Sequence, residues 1–318
     1  MKILIIRFSS IGDIVLTTPV IRCLKKQLSD VEIHYLTKKA YVDLVAPNPY
    51  VSKVYTLDAS LKEVLPSLKA EQYDYVVDLH HNLRSFLVKS SLGKKSVAFK
   101  KLNIEKWLSV NFKLKALPNT HIVDRYLQTV EKLGVVNDND GLDFFIQTDE
   151  KPLLEKLGAV LNRYVVFAIG AKFATKRLPN EKIYSLLTKV NKPIVLIGGK
   201  EDVANAASIA SKVDVINLCG LLTLHESAIV LKYANTVLTH DSGMMHIAAA
   251  LKKKIISIWG NTIPEFGMYP YLPGPASQLI EVKNLSCRPC SKIGFNACPK
   301  KHFKCMNAID ENSILKSI

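Results

Sequence analysis

From its first residues the chain alternates short runs rich in Ile, Val and Tyr with stretches whose apolar positions recur at helical spacing, the pattern of a doubly wound parallel α/β sheet. The apolar runs predict strands at Ile3 to Arg7, Glu32 to Leu36, Val51 to Leu57, Tyr73 to Leu79 and Ser96 to Phe99. The periodic stretches predict helices at Ile14 to Leu28, Lys39 to Ala46, Ser60 to Ala70 and Asn82 to Leu92, with a longer one at Ile122 to Leu133. Gly134 and the polar run Asn137, Asp138, Asn139, Asp140, Gly141 then interrupt the pattern, as a surface loop near a domain boundary does. The alternation restarts with strands at Tyr164 to Ile169, Pro193 to Ile197, Val213 to Leu218, Thr236 to His240 and Ile255 to Trp259. Helices near Asn180 to Val190, Glu201 to Lys212, Leu224 to Ala234 and Ser242 to Leu251 separate them. Two sheets in series predict two Rossmann-like domains, residues 1–145 and 146–318, with a cleft between them. Ligands of open parallel sheets bind beyond the carboxyl ends of the strands, so chemistry is sought in the loops there.

A length of 318 residues suits two domains of about 150 residues better than one core. Hydrophobic residues are 48% of the chain and charged ones 22%, which excludes an intrinsically disordered protein. The run Ile3 to Ile6 is cut short by Arg7 and reads as a buried strand rather than a signal peptide. No stretch reaches the roughly 18 apolar residues of a membrane-spanning helix, so a cytoplasmic protein is expected. With 43 Lys and Arg against 28 Asp and Glu, the formal charge is +15. This favours anionic partners, whether nucleic acid, phosphorylated ligands or an acidic membrane face, and fits a plain basic surface as well.

Three strand ends carry candidate chemistry. The first strand runs into Ser9-Ser10-Ile11-Gly12-Asp13, a small turn with one carboxylate, in which Asp13 either caps the next helix or acts on a ligand. With one glycine, the turn is not the three-glycine dinucleotide fingerprint, which argues against a nicotinamide enzyme. After Ile169, the loop Gly170 to Pro179 brings Lys172, Lys176 and Arg177 to a place suited to a diphosphate. After His240, Asp241-Ser242-Gly243-Met244-Met245-His246 begins a helix whose free backbone N–H groups attract phosphate, with His246 one turn in. Glu201 and Asp202, after Gly198-Gly199, are placed for a ribose or base, or simply start a helix. His80 and His81 follow another strand and carry the same choice between packing and function.

Of six cysteines, Cys23 and Cys219 sit in apolar contexts. The other four are spaced Cys287-x2-Cys290-x7-Cys298-x6-Cys305, a set able to hold a structural zinc or to remain as reduced thiols or local disulfides. The stretch from Arg84 to Lys115 holds nine cations against the single acid Glu105, interleaved with Phe99, Trp107, Leu108, Phe112 and Leu114. That composition suits docking on an anionic lipid surface, in the half expected to bind the acceptor.

The opening MKILIIRFSSIGDIVLTTP, the segment Asp78-Leu79-His80-His81-Asn82-Leu83-Arg84-Ser85, the Lys176 loop, Asp241 to His246 and the cysteine-containing tail, taken in that order, resemble the ADP-heptose:lipopolysaccharide heptosyltransferases of glycosyltransferase family nine. The resemblance implies a GT-B architecture of two facing Rossmann-like domains and an inverting transfer needing no metal or cofactor. It makes Asp13 the general base and assigns Lys176, Glu201, Asp241, Ser242, Gly243 and His246 to the nucleotide-sugar donor, ADP-heptose. Ser10, Gly12, Arg84 and Arg125 fall to the acceptor, a lipopolysaccharide core or related lipid-linked saccharide, with the enzyme peripheral on the inner face of the inner membrane. Leu178 stands where many members carry an aromatic residue. Another nucleotide-sugar donor is the alternative within this class. A basic nucleic-acid-binding protein with a zinc-holding tail is the alternative outside it, although no nucleic-acid motif is present and no nucleic-acid partner is expected.

Overall fold

The computed structural model describes every residue except Ala59. It divides into two compact units, Met1–Lys101 with Thr120–Phe145, and Leu102–Asn119 with Ile146–Ile318.

In the first unit the strands are β1 (Lys2–Ile6), β2 (Glu32–Lys38), β3 (Lys53–Leu57), β4 (Tyr75–Asp78) and β5 (Lys95–Ala98), in sheet order β3-β2-β1-β4-β5. All neighbours are parallel, with Ile5 of β1 opposite Tyr35 on one side and Val77 on the other. Ile3 to Ile6 are fully buried, as expected of a strand covered on both faces. The helices of this unit are α1 (Ile11–Val15), α2 (Thr18–Gln27), α3 (Leu61–Ala70), α4 (Leu83–Leu92) and, beyond α5 (Asn103–Phe112) of the second unit, α6 (Ile122–Leu127). The single helix expected over Ile14 to Leu28 is thus two. Leu16 closes α1, and Pro19, which has no N–H to donate, sits in the first turn of α2, where that loss costs least. Lys39–Leu44 forms a 3-10 helix, and α6 ends at Leu127, short of the expected Leu133. The polar run after Gly134 is tied back to α2 by Arg22, which bonds both oxygens of Asp138, the carbonyl of Gly141 and Asp143.

The second unit contains α7 (Lys151–Leu157), β6 (Val165–Ala168), α8 (Asn180–Leu187), β7 (Ile194–Ile197), α9 (Val203–Ala210), β8 (Ile216–Asn217), α10 (Leu224–Lys232), β9 (Thr236–His240), α11 (Gly243–Ala250), β10 (Ile255–Trp259), β11 (Gln278–Glu281), α12 (Lys304–Asn307) and α13 (Glu311–Leu315). Its sheet, also all parallel, runs β11-β10-β9-β6-β7-β8. Its core gathers Val165, Phe167, Leu196, Leu238, Ile256 and Ile258 of the strands with Cys305, Met306 and Ile314 of the tail. The apolar pattern does not predict β11, whose Gln278 and Leu279 are exposed at the sheet edge, nor α5, α7, α12 and α13.

The helix α5, placed by sequence in the acceptor half, packs with the second unit. Lys113 Nζ donates to the carbonyl of Pro289 at 2.6 Å and Lys292 Nζ to that of Asn103 at 3.2 Å, while the Lys106 ammonium lies 5.7 Å from the Phe266 ring centre. Among the described residues no helix is long and apolar enough to cross a membrane.

In each sheet the strand order reverses beside the first strand of the unit: between β1 and β4, and between β6 and β9. The crevice outside the carboxyl ends at such a reversal is where this class of sheet binds ligands.

Candidate active site

At the first reversal, the turn after β1 leads directly into α1. Asp13 lies on that short helix, its side chain 20% exposed. Its Oδ1 pairs with Arg7 Nη2 at 2.8 Å, and its Oδ2 accepts from Ser10 N at 3.1 Å and Ser10 Oγ at 2.8 Å. Asp13 is therefore the third residue of α1 and the acidic partner in a capping box whose N-cap is Ser10, and its side chain still reaches solvent. Gly12 is buried in the same turn. Arg7, which the sequence reading took only as the end of a strand, is buried and spends its remaining donors on main-chain and phenol oxygens. Nε donates to Ser9 O at 2.7 Å, and Nη1 to Leu79 O at 2.5 Å and Tyr126 OH at 2.9 Å. It thereby ties β1, the end of β4 and α6 to the carboxylate.

Beyond β4, the fully buried Asp78 accepts from the backbone N–H groups of His80 and His81 at 3.0 and 2.7 Å and pairs with Lys89 at 3.0 Å. His80 packs edge-on against Phe8. Burial, with the nearby Arg7 and Lys101 charges, pulls its pKa down to about 4, so its ring is neutral at pH 7. His81 Nδ1 lies 2.8 Å from Phe99 O. Arg84 is exposed in the first turn of α4, whereas Arg125 is 4% exposed, with Nη1 donating to Lys100 O at 3.1 Å.

At the second reversal, Lys176 ends a 3-10 turn after β6 and pairs with Asp241, at the end of β9, at 2.6 Å. Thr262 Oγ1, after β10, donates to the same Asp241 oxygen at 2.8 Å. Ser242 is the N-cap position of α11, without a side-chain cap bond, and Gly243 is its first residue, so the helix begins two residues after Asp241, the partner of Lys176. His246 is buried one turn in. The fully buried His240 accepts the Leu178 N–H through Nε2 at 3.0 Å, and burial pulls its pKa down to about 3. Glu201 is exposed in the turn after β7. The adjacent Asp202 is buried, accepts from Gly199 N at 3.0 Å, pairs with Arg177 at 3.4 Å, and is held above the usual carboxylate range by burial. A side chain at Gly170 would begin 2.3 Å from an Asp202 oxygen, so any larger residue there must displace the Asp202 carboxylate.

The structure thus gathers Ser10, Gly12 and Asp13 at one reversal and Lys176, Asp241, Ser242 and Gly243 at the other, with His246 behind the latter. All six thiols are free. Cys287 Sγ lies 3.8 Å from His302 Nε2, and burial pushes the Cys305 thiol up to about 11. Among the described residues, the only three His, Cys, Asp or Glu whose ligand atoms lie within 4.8 Å of one another are Glu32, His34 and Glu71, so no three tail sulfurs are drawn that close. Arg7, Thr262 and His240 were missed by sequence reasoning; a lone basic, hydroxyl or imidazole side chain at a strand end gives no signal without its partner.

Residues 62–299 match the model of glycosyltransferase family 9 (heptosyltransferase). The chain is 28% identical over 289 residues to lipopolysaccharide heptosyltransferase 1 of Campylobacter coli, covering 82% of this chain and 84% of that protein. Its fold is similar to that of a family 9 glycosyltransferase from Veillonella parvula, with a TM-score of 0.79 at 20% identity over 99% and 95% of the two chains. It is similar also to E. coli heptosyltransferase WaaC, solved with ADP, with a TM-score of 0.70 at 19% identity over 99% and 98%. A family match across most of the chain and a whole-chain likeness in fold, added to two loaded strand-order reversals, lead to one conclusion: this chain belongs to glycosyltransferase family 9 and is a glycosyltransferase of GT-B fold.

Proposed function

We propose that the enzyme transfers a heptose from ADP-heptose, with inversion, to a hydroxyl of a lipopolysaccharide core or related lipid-linked saccharide. The observation that carries this reading is the Lys176–Asp241 pair beside the open N-terminus of α11, at the β6/β9 reversal. A cation and free N–H groups there suit a diphosphate. The relative solved with ADP and the family's name as heptosyltransferases support ADP as the nucleotide and heptose as the sugar.

Asp13 takes the proton of the acceptor hydroxyl as that oxygen attacks the anomeric carbon. The bond from that carbon to the β-phosphate oxygen breaks, and ADP leaves carrying the electron pair. A single displacement inverts the anomeric centre. Lys176 and the α11 N–H groups stabilise the charge on the departing diphosphate, so no metal ion is required. Asp241 orients the sugar, Ser242, Gly243 and His246 line the phosphate and sugar side, and Glu201 meets the ribose. Ser10, Gly12, Arg84 and Arg125 serve the acceptor side, Arg125 by shaping it from within. The enzyme works in the cytoplasm, peripheral on the anionic inner face of the inner membrane.

Thermal shift with ADP, GDP, UDP and a DNA oligonucleotide tests the class and donor. ADP alone is expected to stabilise, by about 2.7 kcal/mol at a hundredfold excess over Kd. Stabilisation by GDP or UDP alone reassigns the donor, and stabilisation by DNA alone rejects the reading.

A further inference from the structure

The tail after β11 enters none of the chemistry above, yet its contacts converge on the donor loop. Thr175, immediately before Lys176 and 2% exposed, makes three hydrogen bonds to one residue of the tail. Its N–H and its hydroxyl both donate to Phe295 O at 3.1 Å, and its Oγ1 accepts the Phe295 N–H at 2.8 Å. The tail is shaped for this. Ser291 Oγ accepts the N–H groups of Ile293 and Gly294 at 3.1 and 2.9 Å, and Gly294, at φ +134°, lies so close to Phe173 that a side chain there would begin 2.5 Å from it.

A second arm reaches Asp241. Arg288 pairs with Glu281 at 2.7 Å and donates to Gly260 O at 2.5 Å and Thr262 O at 2.7 Å. It thereby fixes the loop whose Thr262 hydroxyl donates to Asp241. Both members of the Lys176–Asp241 pair are therefore held from one segment, residues 288–295: the lysine through Thr175 and Phe295, the aspartate through Thr262 and Arg288.

We infer that this tail is a clasp for the donor diphosphate subsite, with Thr175 the positioning residue that sets the Lys176 ammonium. The inference rests on the donor reading given above. Hydroxyl exchange to the same peptide is lost in Thr175→Val, which keeps shape and volume, and is retained in Thr175→Ser. Thr175→Val is expected to bind ADP about tenfold more weakly and to raise the KM for the donor by a like factor, with the acceptor KM unchanged. Thr175→Ser is expected to stay within about threefold of wild type. Ser291→Ala, which loosens the turn from the tail side without touching the loop, is expected to act in the same direction as Thr175→Val.

Hydrogen exchange of residues 172–178 in the absence of ligand gives a readout that needs no nucleotide: Thr175→Val should speed exchange there and Thr175→Ser should not. Wild-type ADP affinity in Thr175→Val, or unchanged exchange in residues 172–178, overturns the clasp. If wild type itself fails to bind ADP, the donor reading falls, and the exchange arm still decides whether the tail holds the loop.

Discussion

A cation beside a carboxylate favours its ionised form. Arg7 is the cation paired with Asp13, and the positive charge favours the ionised form that a general base needs. Arg7→Met should move the acid limb of the kcat/KM profile to higher pH. Arg7→Lys, which keeps the charge and loses the four-point fork, should leave the limb in place and lower kcat; an unmoved limb in Arg7→Met would show that Asp13 is not the titrating base. His80 and His240 make a different pH prediction. Their folded pKa values, about 4 and about 3, lie below the unfolded value near 6.5. The unfolded chain therefore binds more protons between those limits, and stability should fall as pH drops from about 6.5 toward 4, by at most about 1.4 kcal/mol per pH unit for each histidine. His240→Asn, measured by urea unfolding across that range, should flatten the slope. At this scale the sequence offers as candidates residues whose type and position speak alone, such as Asp13 and Lys176. It could not reveal Arg7 or Thr175, because their roles come from partners such as Tyr126 and Phe295, more than a hundred residues away.

Among the elements, β1, β6, β7, β9 and β10 were legible because buried parallel strands are continuous apolar runs. The edge strand β11 was not, since Gln278 and Leu279 are exposed, nor was α5, whose large apolar residues Ile104, Trp107 and Phe112 lie on its exposed side and blur the amphipathic pattern. Lysines flank α5 in sequence, and Ile104, Trp107 and Phe112 upon it, with Leu114 just after, are 72%, 49%, 59% and 53% exposed; the Trp107 and Phe112 ring centres lie 5.3 Å apart. Apolar side chains left in water among lysines are what an anionic bilayer surface takes up. Trp107→Ser with Phe112→Ser should weaken binding to phosphatidylglycerol vesicles while ADP affinity stays at wild type. Equal vesicle binding by the double variant would assign the surface to some other partner. The location of α5 in the second unit was beyond sequence reasoning, because chain order alone does not say which sheet a connecting helix packs on.

Across the whole molecule, both sheets repeat one strand order, and each carries its candidate residues at the point of reversal, so the two substrates are expected to depend on different units. That division can be separated experimentally. Asp13→Asn preserves size and the ability to accept the Ser10 bonds, and a general base is worth about 10²- to 10⁴-fold in rate. Near-normal folding and an unchanged ADP-induced thermal shift are expected, with turnover reduced at least about a hundredfold. Lys176→Ala should do the converse to binding, abolishing most of the ADP-induced shift, because the diphosphate loses the cation paired with Asp241. Losing a helix cap alone would cost about 1 kcal/mol of stability and little rate. Asp13→Asn that keeps most of its turnover would therefore leave Asp13 as the acidic partner of the α1 capping box and require the base to be sought elsewhere in the first unit, with the neutral imidazole of His80 the next group to replace.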